Sequence, residues 1–340
     1  MEHFFGGVIW WTQIAIRVSE SKTRKEVVSG SLALALGAVC PDRELFLPWG
    51  VWHARGRTLR LSALCQHPDY GAPLVGNPLA VLNPIDSTRS HLRGRQVLRR
   101  NDPDVVAAGL RMLAAKVGNQ ASVLRYFAKY RRKVDPDLHK RLVTASDGMR
   151  ELAEHLRTLD PCGAGVRATA MGIEGHAAAL YWGHLKKLVP PELGFNSRHT
   201  QGATDPVNQG INYVYAMLYG EVWRVLAKVG LDPYFGLMHG SERNQGSLVF
   251  DLIEEFRAPF ADRLVLAMTG RGLKLQIGAH GFLRTRIRRL LAQGFARAWN
   301  KKIRWHGKMI APATILEHQA GTLAKLILGQ GDYQPFHMRW

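Results

Sequence analysis

Cysteine is scarce in this chain. Three residues in 340, Cys40, Cys65 and Cys162, have neither the number nor the spacing of a disulfide framework or a thiolate zinc site. Buried thiols in a reducing cytoplasm are the simplest reading. Long apolar runs are missing too. The strongest, FFGGVIWWTQIAIRV, ends near Arg17, short of the ~20 residues that span a bilayer. Glu2 and His3 stand where a signal peptide would carry positive charge, so neither a leader nor a membrane segment is expected. Acids are outnumbered, 27 against 46 Lys and Arg, for a net charge of +19 and a pI near 10.2. With 46% hydrophobic content the chain can bury a core, which excludes a disordered basic tail and points to a folded partner of polyanions.

The chain changes character between Pro78 and Asp102. Before it, the alternation in GRTLRLSAL (Gly56 to Leu64), together with Trp10, Trp11, Val27 and Val28 among Gly and Pro, predicts short strands and loops. After it, helical periodicity predicts segments over 104–132, 137–158, 167–187, 205–229, 247–268, 279–299 and 312–329, several opened by Asp-Pro or Ala-Pro. The expected class is α+β. A small β-rich domain over 1–100 precedes a large all-α domain over 101–340.

Few as they are, four groups in the second half form a candidate site for a hard cation: Glu174 in MGIEGHAAALYW, His239 in LMHGSE, and Asp251 and Glu254 in SLVFDLIEEF. Carboxylate oxygens with one imidazole suit Mg²⁺ or Mn²⁺, which keep coordination positions open for a phosphate. Each residue has a plainer reading. Asp251, Glu254 and Glu255 lie opposite the apolar stripe of their helix and fit a solvated acidic face paired with Arg257 and Arg263. His239 is one of 14 histidines. Glu174 fits a first-turn glutamate, with Gly172 and Gly175 admitting a close backbone approach.

Five ordered blocks tip the balance. AKVGNQASVLRYFAKYRR (Ala115 to Arg132), MGIEGHAAALYWGHL, DPVNQGINYVYAMLYGEV (Asp205 to Val222), GLMHGSERNQGSLVFDLIEEFRAPFADRLV (Gly236 to Val265) and the terminal LAKLILGQGDYQPFHMRW resemble the CRISPR-associated integrase family, the catalytic subunit of spacer acquisition in antiviral defence. The resemblance covers roughly 105–340. It implies that Glu174, His239 and Glu254 ligate Mg²⁺ or Mn²⁺ and are catalytic, with Asp251 supporting them one turn earlier. It also implies an endonuclease and integrase that joins 3′-hydroxyl ends of short DNA duplexes into a repeat array.

The family's denser arginine cluster is replaced here by FNSRHTQGATDPVN, leaving Arg198, His199 and Asn208 beside the site. Arg125, Arg131, Arg132 and Lys133, and the run Arg284, Arg286, Arg288 and Arg289, are candidate DNA-phosphate contacts; the plainer reading is solvated helix faces. Trp49 and Trp52 are candidates for stacking on a base, though core packing is the plainer role. The resemblance implies a catalytic role for 101–340, dimerisation through 1–100, and double-stranded DNA, a second copy of the chain and a small ferredoxin-like adaptation subunit as partners; no membrane is expected. Two alternatives stay open: a non-catalytic DNA-binding scaffold of the same fold, and a related transposon integrase.

Overall fold

The computed structural model describes residues 14–17, 59–65, 80–82, 87–239 and 246–338, with side chains from residue 90 onward. The described residues divide into two compact units, one ending at Ser87 and one starting at Thr88. In the first, β1 (Ile14–Arg17), β2 (Leu59–Cys65) and β3 (Ala80–Leu82) form an antiparallel sheet in that order, with Ile14 opposite Cys65 and Leu59 opposite Leu82. β2 takes up most of the alternating stretch at Gly56–Leu64. The tryptophans at 10, 11, 49 and 52, and Val27 and Val28, lie outside the described residues.

The second unit is helical. It opens with α1 (Ser87–Leu98), whose polar composition hides it from a search for apolar periodicity. Its buried Gln96 explains why it docks. The amide Nε2 donates to the carbonyls of Asp232 and Phe235, both at 2.9 Å, and Oε1 accepts from Asp232 N.

The axis of the unit is α2 (Pro103–Arg131), with Pro103 at its first turn and buried residues around most of its circumference. α3 (Pro136–Thr158) packs along it, its start capped by Asp135 accepting from Leu138 N at 2.9 Å. α4 (Val166–Leu185) lies against both. α5 (Pro206–Val229) is capped by Asp205 and ended by Gly230 at φ 89°, a conformation glycine adopts without strain.

The single helix expected over 247–268 is three pieces: α6 (Ser247–Phe256), a π-helical segment (Arg257–Asp262) and α7 (Arg263–Gly270). Pro259 is the cause. It has no N–H for the carbonyl four residues back, that of Glu255, and its ring crowds that position. The orphaned Glu255 carbonyl instead accepts from the buried Asn119 side chain of α2 at 2.8 Å. The helix expected over 279–299 begins later, at α8 (Thr285–Asn300), because Ile277 and Leu283 form a β-bridge ahead of it. A short hairpin, β4 (Ile303–Trp305) and β5 (Lys308–Ile310), turns on His306 and Gly307, both at positive φ. α9 (Pro312–Ile327) follows.

Phe256, Phe260, Trp299 and Phe336 stack in the core beneath α6, the first and last with rings 5.2 Å apart and nearly parallel. Every residue of the helix that carries the acids is buried except Phe250.

Candidate active site

Asp251, Glu254 and Glu255 are 2%, 3% and 0% exposed, so the solvated acidic face is not what forms. Burying three carboxylates on one helix is tolerated only when each is hydrogen-bonded or paired. Each finds a different partner set.

Asp251 anchors the loop that carries His239. Its Oδ2 accepts from Leu237 N at 2.5 Å and Met238 N at 3.2 Å, and its Oδ1 accepts from His239 N at 3.2 Å. Oδ1 also lies 2.7 Å from His239 Nδ1. Both carboxylate oxygens are therefore engaged. In this arrangement Asp251 holds the 237–239 backbone and faces the His239 ring. Nδ1–H held toward Asp251 leaves Nε2 with its lone pair. Burial opposes charge on His239, but the hydrogen bond and field of Asp251, with Glu254 beyond, outweigh it and raise the imidazole pKa.

Two arginines and a glycine complete the loop. Arg167 on α4 donates to the carbonyls of Leu237 (2.9 Å) and Arg100 (2.7 Å), and Arg100 reaches the His239 carbonyl at 3.4 Å. Gly236 has no room for a side chain, since a Cβ there would lie 2.7 Å from Asp251 Oδ2 and 2.9 Å from the His239 carbonyl oxygen.

Glu254 faces the other way, toward α2 and α4. Its Oε1 is 2.5 Å from Arg257 Nη1 and its Oε2 is 3.0 Å from Lys116 Nζ. The same ammonium is 2.7 Å from Glu174 Oε1. Glu174 sits in the middle of α4 rather than in its first turn, and neither Gly172 nor Gly175 has a close neighbour, so they are not the sites of close approach that their size suggests. Burial raises the cost of the Glu254 charge, yet Arg257 and Lys116 more than offset it and its pKa is lowered. Burial likewise disfavours the Lys116 charge, while Glu254 and Glu174 outweigh that and raise its pKa. Both groups are ionised at neutral pH.

A cleft of about 150 Å³ opens at this pair, lined also by Arg198, Tyr215, Trp182 and Arg257. Tyr215 is held between two guanidinium groups, Arg257 at 4.8 Å and Arg198 at 5.2 Å from its ring centre, and Arg198 lies 5.6 Å from Trp182. Tyr215 and Tyr181 both donate to the buried Asp262, whose pKa burial pushes up to about 6 against the pull of those two hydroxyls. Two carboxylates and three cations thus border one small opening, a balance suited to an anionic phosphate.

Of the basic residues expected at the DNA, Arg198 is the one that lines this cleft. Asn208 is fully buried. Its Oδ1 accepts from Arg198 Nη1 and His199 N, each at 3.0 Å, and its Nδ2 donates to Ser197 O and Asp205 Oδ2. No part of that amide is left for DNA, and its work is to hold the Arg198 loop. Arg125, Arg132, Arg286 and Arg289 are exposed, and Arg125 is 2.6 Å from Asp147.

Lys116, Arg167 and Arg257 were not singled out as site residues by their sequence alone. Lys116 and Gln120 stand one helical turn apart in the first quoted block, and that spacing was the available signal.

The donor chemistry fits a hard divalent cation. Glu174 and Glu254 already converge on one cation, the Lys116 ammonium, and their oxygens are the donors such an ion favours. Among the described residues no three His, Cys, Asp or Glu side chains are gathered as a ready-made metal cluster, so His239 stands apart from that pair.

Comparison with known proteins places this site in context. The model of the family "CRISPR associated protein Cas1" matches residues 74–297. A CRISPR-associated endonuclease of Archaeoglobus fulgidus is 28% identical over 293 residues, 80% of this chain and 81% of its own. One from Francisella tularensis subsp. novicida is 26% identical over 239 residues, 70% of each chain. The same fold occurs in a casposase bound to integration product, with TM-score 0.62, 22% identity and coverage of 76% of this chain and 71% of that one. It occurs again in a CAS1 protein of Thermotoga maritima, with TM-score 0.60, 17% identity and coverage of 75% and 76%. The family match and these relatives define a CRISPR-associated nuclease. The chain belongs to the Cas1 family.

Proposed function

We propose that this chain is the integrase of CRISPR adaptation, joining the 3′-hydroxyl ends of short DNA duplexes into a repeat array. The observation that carries the reading is the pair Glu174 and Glu254 converging on one cation beside a histidine oriented by Asp251, in a chain of net charge +19. The reaction is a transesterification: the 3′-oxygen of the fragment bonds to a phosphorus of the target strand, and the bond from that phosphorus to the target's own 3′-oxygen breaks. One phosphodiester replaces another, so no external energy source is needed.

Glu174, Glu254 and His239 through Nε2 hold Mg²⁺ or Mn²⁺ in this reading. When bound, such an ion polarises the phosphate and stabilises charge on the attacking or leaving oxygen. The chain's own residues do the rest. Asp251 fixes the His239 tautomer, Lys116 and Arg257 hold Glu254 ionised, and Arg198 supplies positive charge at the cleft where a target phosphate docks.

Double-stranded DNA, a second copy of the chain through the first ~100 residues, and a small ferredoxin-like subunit complete the assembly, in a cytoplasmic setting. A solved Cas6-RT-Cas1–Cas2 complex contains a chain of this fold at TM-score 0.61, which supports a partnered assembly. Among the described residues no helix is long and apolar enough to cross a membrane. A non-catalytic scaffold is disfavoured because it has no use for a buried and a half-buried carboxylate converging on one cation, and a transposon integrase would use the same site on a different substrate.

The test is strand transfer: a labelled duplex with 3′-hydroxyl ends, a supercoiled plasmid carrying a repeat, and Mn²⁺ or EDTA, with the small subunit present. Joined product is expected with Mn²⁺ and absent with EDTA or in Glu174→Ala, His239→Ala and Glu254→Ala, while DNA binding persists. Undiminished joining by those variants would sink the assignment.

A further inference from the structure

A second cavity, of about 330 Å³, lies at the far end of α2. Its lining shares no residue with the catalytic cleft. Tyr130, its most exposed tyrosine, is 14 residues beyond Lys116 on the same helix, which at 1.5 Å per residue is about 21 Å.

The composition of this cavity is specific. Its apolar floor is Phe127, Leu188 and Leu266. Its polar wall is Tyr126, Tyr130, Arg131 and Arg271, with no acid among the lining residues. The two tyrosine rings meet edge to face, 5.3 Å between centres, and Lys129 Nζ lies 5.2 Å from each. Arg263 lies 5.4 Å from the Tyr126 ring on the side of α7. Tyr130 is 59% exposed despite being large and apolar-faced. Among the described residues, Lys129, Arg131 and Arg271 have no carboxylate partner within ion-pair distance.

We propose that this cavity binds an unpaired nucleotide of a single DNA strand, its base against Tyr130 and Tyr126 and its phosphates on Arg131 and Arg271. The inference rests on the DNA-acting reading above and adds a site remote from its chemistry. Cations alone would suit any duplex phosphate. The tyrosines decide the matter, because a base pair inside a duplex is covered on both faces by its neighbours, whereas an unpaired base stacks on an aromatic ring whatever its identity. The volume is at the lower end of pockets that enclose small ligands and is enough for one base.

The test compares a fluorescent oligothymidylate with a blunt duplex of equal length, both titrated onto the full chain by anisotropy at fixed salt. Tyr130→Ala is expected to weaken oligothymidylate binding about 5- to 150-fold, the range for one stacked base. Tyr130→Phe is expected to restore it, and blunt-duplex affinity is expected to move less than about twofold on the same scale. Arg271→Ala is expected to weaken oligothymidylate binding and lower its salt slope by about one. As a direct readout, an oligonucleotide carrying 5-iododeoxyuridine is expected to photo-crosslink to the peptide containing Tyr126 and Tyr130. Unchanged oligothymidylate binding in Tyr130→Ala overturns the proposal, and so does an equal loss for oligothymidylate and duplex. The two readings fail separately: Glu254→Ala is expected to keep the crosslink, and a wild-type chain that crosslinks at Tyr130 but never joins strands would defeat only the integrase reading.

Discussion

Asp251→Asn exchanges one oxygen for an amide and leaves the shape of the side chain almost unchanged, so it isolates what the carboxylate does. The native group accepts three backbone N–H bonds and faces His239 Nδ1. In the variant the NH₂ group must point either at the Leu237 and Met238 amides or at His239. The first choice sets donors against donors in a site 2% exposed. The second makes Nδ1 an acceptor, which places the ring proton on Nε2 and removes the lone pair from the nitrogen directed away from Asp251. Either way about two charge-assisted bonds are lost. At ~1.5–3 kcal/mol each, reduced by relaxation of the loop, the cost is about 2–4 kcal/mol. For a helical unit of this size that lowers Tm by roughly 5–15 °C.

The pH dependence has a definite sign. The raised His239 pKa stabilises the fold fully below the unfolded value of 6.5, and that contribution is lost as pH rises through the folded value. The gap in Tm between wild type and Asp251→Asn is therefore expected to be widest below about pH 6.5 and to narrow at higher pH. Strand transfer is expected to fall about 10- to 100-fold or more, the usual consequence of losing the group that orients a ligating histidine. Thermal melts from pH 5 to 9 together with the joining assay check both. A variant with wild-type Tm and wild-type joining, or a gap that widens with pH, refutes the reasoning.

Two further perturbations probe the other acids. Lys116→Met is expected to destabilise the protein by about 2–3 kcal/mol in EDTA, less than a fully broken buried pair because Arg257 still faces Glu254. Adding Mn²⁺ is expected to raise its Tm more than that of wild type, because the ion replaces the missing cation. Equal Mn²⁺ shifts in a scanning melt would contradict this. Glu255 is held by Tyr333, Phe336 N and Gln319 of the C-terminal region, yet burial outweighs those donors and pushes its pKa up to about 7. A raised carboxylate pKa makes the folded state bind the extra proton, so stability falls as pH climbs from the ordinary carboxylate range to about 7, by at most ~3 kcal/mol. Glu255→Gln is expected to flatten that slope, and an unchanged slope would assign it to another group.

Much of the helical unit was legible because its signals are local. The Asp-Pro starts at 102 and 205 and the Ala-Pro start at 311 are helix starts in the structure, and the apolar periodicity after them marks the buried faces. What escaped depends on partners far along the chain. α1 is polar in composition and is held by Gln96 meeting a loop 136 residues away. The break at Arg257 needs Pro259 to be read together with Asn119, which takes up the carbonyl that Pro259 leaves behind. At the site, Glu174, His239 and Glu254 were legible as ordered blocks, but their individual surroundings were not. That Asp251 holds the 237–239 loop depends on which of its atoms face that backbone, which no spacing shows. Lys116 became visible only when α2 brought it between two carboxylates from α4 and α6. The acidic helix had the spacing of a solvated face, and it is buried because the aromatic stack at Phe256 and the C-terminal segment at Tyr333 enclose it.

The claim on which the rest depends is that Glu174, His239 and Glu254 together hold a divalent cation. Electron paramagnetic resonance of Mn²⁺ titrated into the full chain, with duplex DNA bound, tests it most directly because free Mn²⁺ loses its signal on binding. The account predicts one tight Mn²⁺ site per chain, abolished in Glu174→Ala, His239→Ala and Glu254→Ala and weakened about 10- to 100-fold in Asp251→Asn. Equal Mn²⁺ binding by wild type and all three alanine variants would contradict it.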